Sequence, residues 1–450
     1  MIRRSAILGV VGCLIAAMSV AFTQSSATAD APNFVNGNGL TVVSSTFDGS
    51  RTYHLVVSTA QLSKPVRVNV MVPSDYSTTS LRYPTLYLFH GTSGGADDWL
   101  TSGNVASATA GLPLIVVMPD AGYNSNGGSW FTNWVDQKTA LGVANWETFH
   151  INQLVPWIDA NLRTIANRSG RAIAGLSQGG FGSFSYAARH PDLFSDAASF
   201  SGAPDIASNP VAQGGAELII GATATALDGV EPNAMFGDPI LRRINWLGHN
   251  PATLVTNLAH TELDLWTGNG IPGPLDTPGV GVLPDAGIES IVHASAHFFA
   301  SAATQAHVPY YLDDYGPGTH TWPYWARDLV QYLPKLMAHF AHPGPAPTSI
   351  SYRSVDKTWT QWGWTVSNNR VAGQAWSALS SASTAGFVLT DTNAATVATP
   401  PNYTPGAHYV ITAVGGTTAH TVTASPSGTI TLIVHPALLH TSVTVSIAAA

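Results

Sequence analysis

Residues 171–189, RAIAGLSQGGFGSFSYAAR, constrain the fold most. Arg171 to Ala174 read as a short strand that runs without a spacer into Gly175-Leu176-Ser177-Gln178-Gly179. Phe181 to Arg189 then read as a helix closed by His190-Pro191. A strand that feeds a helix through so tight a turn predicts parallel pairing with helices packed on the sheet. The segments around it agree. PTLYLFH (84–90) and LPLIVVM (112–118) are nearly continuous apolar runs, as expected of strands buried on both faces. Residues 53–72 read as two strands joined at Ser63-Lys64-Pro65, and Trp146 to Leu162 as a helix. The expectation is an α/β unit with a mostly parallel sheet flanked by helices.

With 450 residues, 45% of them hydrophobic and only 10% charged, the chain can bury a large core and is expected to form two domains. The net charge of -8 arises from 26 acidic and 18 basic residues without long runs of either sign. An electrostatic grip on nucleic acid is therefore not expected, and partners should be small molecules or neutral surfaces. Residues 1–29 pair Arg3 and Arg4 with an apolar run to about Phe22 and end in Ala27-Thr28-Ala29, which predicts a cleaved export signal and a secreted protein. The run is short and lacks a basic stop-transfer flank, unlike a membrane anchor. Cys13, the single cysteine, would leave with it, so no disulfide, thiolate nucleophile or Cys-based metal site is expected.

AHPGPAPTS (341–349) marks a change of composition. A catalytic unit at 40–342, a Pro/Gly linker at 343–349 and an accessory unit at 350–450 follow, with few contacts expected across the linker. HYVITAV, TITLIVH and TSVTVSIAA in the last unit alternate apolar and polar residues between turn signals, predicting a small all-β sandwich. Its Thr/Ser-rich faces and its position make it a candidate contact with cell wall or polysaccharide.

Ser177 sits where a strained turn can hold a hydroxyl out of a sheet. A serine nucleophile needs a base and a carboxylate to orient it, which on such a sheet follow later in the chain. His320, in the Gly-rich loop GPGTHTW between strand-like Pro309 to Leu312 and helical Trp322 to His339, is the expected base. For the acid, the residues leave Asp276, Asp285, Glu289, Asp313 and Asp314 open. Asp276, soon after strand-like Leu263 to Thr267, is slightly favoured. Oxyanion donors are expected at the N–H groups of Gln178 and of Thr92, in the loop after strand 84–90. His293 and His297 share a helix face, but Ala294 stands where a metalloprotease has its glutamate. No metal is expected there, and no nucleotide fingerprint or cofactor motif is evident.

HGTSGGADDW (90–99), SWFTNW (129–134), WETF (146–149), GLSQGG (175–180), TGNGIP (267–272) and GTHTWPYW (318–325), in this order, resemble the secreted actinobacterial esterases of the α/β-hydrolase superfamily that include the antigen 85 mycolyltransferases. The resemblance spans about residues 50–340 and implies an α/β-hydrolase fold. It implies Ser177 as nucleophile, His320 as base and Glu289, opening a helix after the GNG loop, as acid, with oxyanion donors at Thr92 and Gln178. His90, Trp99, Trp130, Trp134 and Trp322 are candidates for the substrate pocket. His90 and Ser93 replace the acidic residue and arginine that the mycolyltransferases carry near their trehalose site, so trehalose recognition is not implied. The expected activity is that of a serine esterase or acyltransferase working through an acyl-enzyme. Hydrolysis of polysaccharide-linked esters, of feruloyl or acetyl xylan type, and a non-catalytic wall-binding role are the alternatives.

Overall fold

The computed structural model describes residues 31–123, 127–277, 282–371, 373–438 and 440–450. The expected export signal, residues 1–29 with Cys13, lies outside the described residues. A nine-stranded sheet is built from β1 (Thr41–Phe47), β2 (Thr52–Ser58), β3 (Val66–Met71), β4 (Thr85–Phe89), β5 (Ile115–Pro119), β6 (Arg171–Leu176), β7 (Asp196–Phe200), β8 (Glu262–Thr267) and β9 (Tyr311–Asp314). Their spatial order is β1-β2-β3-β5-β4-β6-β7-β8-β9. β1, β2, β3 and β5 pair antiparallel, while β5, β4 and β6 to β9 pair parallel.

β4, β5, β6 and β7 are buried at every position, which is why they read as unbroken apolar runs. Alternate residues serve opposite faces. Leu86, Leu88, Val116 and Met118 pack with Trp99, Leu329 and Leu336. Tyr87, Phe89, Ile115 and Val117 pack with Phe181, Phe184 and Phe299. The helices that matter for the site are α1 (Gln178–Arg189), α2 (Pro210–Ala222), α3 (Val282–Gln305) and α4 (Trp322–Ala341). The stretch expected as one helix from Trp146 is π-helical over Thr148–Leu154 and α-helical over Val155–Asn161. The wider turn coincides with buried His150, whose ring bonds Asp120 O at 2.9 Å and Tyr186 Oη at 3.0 Å.

Beyond α4, strands from Ile350–Ser354 to Ser442–Ala449 form a six-stranded and a five-stranded antiparallel sheet. They close on a core of their own that includes Tyr352, Trp359, Trp364, Phe387, Val443 and Val445. This β unit is also fastened to the α/β unit, contrary to the expectation of a sparse boundary. Tyr352 Oη and Gln361 Nε2 donate to the Arg189 carbonyl at 2.8 and 2.9 Å. Asn257 exchanges two bonds with the backbone of Arg353, at 3.0 and 2.9 Å. The buried Arg189 guanidinium bridges Glu147 at 2.8 Å to Asp356 at 3.1 Å. Glu147 of the WETF motif thus holds the arginine that reaches Asp356 of the β unit. Burial pushes the Glu147 carboxyl up, but Arg189, His190 and His249 outweigh this and hold it well below the usual range.

Because removing one member of a buried ion pair strands the other, Arg189→Met is expected to destabilise the protein by about 3–5 kcal/mol. Denaturant melts of the variant would check this; an unchanged midpoint would mean that Glu147 finds other compensation.

Candidate active site

The turn between β6 and α1 places Ser177 at φ 53°, ψ -122°, a strained conformation for a residue with a side chain. The glycines around it are steric necessities. A Cβ at Gly175 would lie 2.5 Å from the carbonyl carbon of Gly179, and one at Gly179 would lie 2.5 Å from the carbonyl oxygen of His90. The Ser177 N–H donates to Phe200 O at 2.9 Å, which ties the turn to β7 and leaves the side chain facing outward into a cavity.

His320 Nε2 lies 2.8 Å from Ser177 Oγ, and His320 Nδ1 lies 2.7 Å from Glu289 Oε2. Glu289 is wholly buried on α3, and its other oxygen accepts from Ser201 Oγ at 2.8 Å, Thr267 Oγ1 at 3.2 Å and the Gly268 N–H at 2.7 Å. Those three donors fix the carboxylate rigidly. Ser201 carries no motif signal and Thr267 only opens the TGNGIP stretch, and a small polar residue at the carboxyl end of each of two adjacent strands was the available clue. Trp325 stands edge-on to His320, with ring centroids 4.9 Å apart.

The competing acids lie elsewhere. Asp276 accepts from the Gly273 N–H at 2.6 Å and Tyr324 Oη at 2.9 Å, and also binds Thr319 Oγ1. It shapes the loop next to His320 without reaching the imidazole. Asp285 contributes its carbonyl, which accepts from the His320 N–H at 3.3 Å, while Asp314 binds His293 and His297.

Thr92 and Gln178 flank Ser177 from two different segments, the loop after β4 and the first residue of α1. The Gln178 side chain locks these segments together: Nε2 donates to Thr92 Oγ1 at 2.9 Å, and Oε1 accepts from the Trp130 N–H at 3.2 Å. The first N–H groups of a helix have no partner within it and carry its positive dipole end, so Gln178 brings a donor suited to an anion.

Ser177 and His320 open into a cavity of about 890 Å³. Its wall is mainly apolar, with Leu218, Ile219 and Ala222 from α2, Ala226 and Leu227 beyond it, and Ile288 and Ile291 from α3. Asp98 also lines it, and burial raises its carboxyl above the usual range.

Of the substrate-binding candidates, Trp322 lines this cavity. His90 is a buried structural residue, with Nδ1 on Gly91 O at 2.7 Å and Nε2 accepting from the Ala121 N–H at 2.8 Å. Trp99 is fully buried and donates to Phe89 O at 2.9 Å; Trp134 is buried and donates to Ser129 O at 3.0 Å. Trp130 lines a separate, smaller cavity of about 360 Å³ that shares Ile219 and Ile291 with the large one. Large aromatics next to glycine loops fill core volume as readily as they line pockets, so their sequence position did not separate the two roles.

The family model described as "Putative esterase" matches residues 59–336, more than half of the chain. The chain belongs to this esterase family. It is 44% identical over 170 residues to Esterase Rv1288 of Mycobacterium tuberculosis, covering 37% of this chain and 36% of that protein. It is 31% identical over 228 residues to the diacylglycerol acyltransferase/mycolyltransferase Ag85B of Mycobacterium leprae, covering 50% of this chain and 65% of that protein. The chain thus spans about a third of the first of these relatives and just under two thirds of the second. Among solved structures, the MPT51 protein of Mycobacterium tuberculosis superposes with a TM-score of 0.51 at 25% identity, covering 63% of this chain and 97% of that one. The matched portion has the α/β-hydrolase fold, and the antiparallel β unit follows it.

Proposed function

We propose that the chain is an exported serine esterase of antigen 85 type that takes aliphatic acyl esters through an acyl-enzyme. The observation that carries this reading is the hydrogen-bonded series Ser177, His320, Glu289 opening into an apolar cavity. With Nδ1–H donated to Glu289, His320 Nε2 is free to accept the Ser177 proton as Oγ attacks the ester carbonyl. Glu289 stabilises the resulting imidazolium. The N–H groups of Thr92 and Gln178 hold the oxyanion, and His320 returns the proton to the leaving alcohol. The acyl chain lies against Leu218, Ile219 and Ile288, and water or an alcohol then releases it.

Purified protein assayed on a panel of acetyl, octanoyl, palmitoyl, feruloyl and acetyl-xylan esters tests the substrate class. A higher kcat/KM for the aliphatic esters as the chain lengthens is expected, since each buried methylene contributes about 0.8 kcal/mol. Highest activity on the feruloyl or xylan ester would favour hydrolysis of polysaccharide-linked esters instead. Ala226→Trp should fill part of the cavity and lower kcat/KM on the octanoyl ester about 10-fold or more, the equivalent of about two methylenes, while sparing the acetyl ester.

With buried His90 in place of an acidic group, trehalose finds few fixed polar partners to offset desolvation of its hydroxyls. Mass spectrometry of products from an acyl donor plus trehalose should therefore show chiefly free acid. Predominant acyl-trehalose would make the protein a transferase in the narrow sense.

A further inference from the structure

On the flank of the hydrolase unit, α3 and β9 bring together three metal-ligating side chains that take no part in the reaction above. His293 Nε2 and His297 Nε2 each lie 3.0 Å from Asp314 Oδ2, and the two nitrogens lie 3.2 Å from one another. The histidines stand one helical turn apart and the aspartate comes from a different element, so the fold supplies the third member. All three side chains reach solvent.

Hydrogen bonding alone can hold this triangle with both Nε2–H groups donating to one carboxylate oxygen. If one lacks its hydrogen, its lone pair faces the carboxylate at 3.0 Å. A single cation satisfies all three donors together. For a metal with bonds of about 2.0–2.1 Å, neighbouring tetrahedral donors sit about 3.3 Å apart and octahedral ones about 2.9 Å. The observed separations fall between these values.

We propose that His293, His297 and Asp314 form a binding site for one divalent transition-metal ion that fastens helix α3 to the end of strand β9. Two imidazoles and one carboxylate suit zinc, cobalt, nickel or copper, whereas calcium and magnesium prefer sets made wholly of oxygen. Solvent exposure leaves room for water to complete the coordination. The second Asp314 oxygen accepts from the Gly316 N–H at 3.3 Å, which orients the carboxylate towards the histidines. The site needs no glutamate at residue 294, because it is structural and activates no water. Its location gives it a mechanical consequence: α3 carries Glu289, and β9 leads into the loop that carries His320. The ion would brace the helix that carries Glu289 against the strand that leads into the His320 loop, and these two side chains meet at 2.7 Å in the active site.

The test uses full-length protein without a histidine tag, stripped with chelator and titrated with zinc by calorimetry and with cobalt by visible absorption. One ion per chain is expected, together with a rise in Tm on adding zinc and none on adding magnesium or calcium. His297→Ala and Asp314→Ala should each weaken zinc binding by at least about tenfold. Asp314→Ala should also shrink the rise in Tm at the same zinc concentration, since weaker binding to the folded chain gives less stabilisation. Circular dichroism of both variants verifies that they are folded, and the exposed His297 makes its variant the safer of the two. Absence of stoichiometric uptake at micromolar free zinc would overturn the site. Zinc affinity within about threefold of wild type in folded Asp314→Ala would overturn the clamp.

Discussion

Ser177→Ala is expected to lower kcat on a model ester by about 10³-fold or more while leaving the fold intact. The hydroxyl is needed for bond formation, whereas the strained turn is held by Gly175, Gly179 and the N–H bond to Phe200, none of which the substitution touches. Turnover that remains would come from the oxyanion donors and substrate binding. Steady-state kinetics and thermal melts of the same preparation decide the matter. A variant retaining a tenth of the wild-type rate would remove Ser177 from the nucleophile role.

Glu289→Gln is expected to cost up to about 10⁴-fold in kcat, more than its effect on packing would account for. The amide oxygen can stay in place and keep accepting from Ser201, Thr267 and Gly268. The amide N–H₂ then faces His320 Nδ1 and turns the imidazole into the tautomer with its hydrogen on Nε2, which cannot accept the Ser177 proton. It also removes the charge that stabilises the imidazolium. Asp276→Asn serves as the companion measurement, because Asp276 braces Thr319 and Tyr324 beside the loop and does not contact the imidazole. Its kcat should fall by less than about tenfold. The opposite ranking would transfer the orienting role to Asp276.

Chain-local information carried much of the architecture. The passage from β6 through the glycine turn into α1 was legible because strand, turn and helix lie within a few residues and each has its own signal. The central strands were legible because burial on both faces demands unbroken apolar runs. Alternation with period two gave the C-terminal sheets in the same way, as in Ser442–Ala449. Ser177 and His320 stood out by their Gly-rich loops after strand-like segments.

Choices between similar residues at a distance were another matter. By sequence pattern Asp276 outranked Glu289, because closeness to a strand end says nothing about which carboxylate a helix turns inward. Family resemblance pointed to Glu289, and the structure sets that carboxylate beside His320 with three donors behind it. Trp99 and Trp134 looked like pocket residues, yet their indole N–H groups find backbone carbonyls inside the core. The Pro/Gly linker was visible, but the docking of the β unit depends on Arg189, Asn257 and Tyr352 meeting across more than ninety positions of chain. His293 and His297 were visible as a pair, and only folding brought Asp314 to them. What the sequence determined by itself is whatever a few neighbouring residues decide through backbone propensity and burial period. What the tertiary structure decided is which distant polar groups share one space, because a hydrogen bond or a metal ligand set requires placement within a few tenths of an ångström, and no local periodicity encodes that.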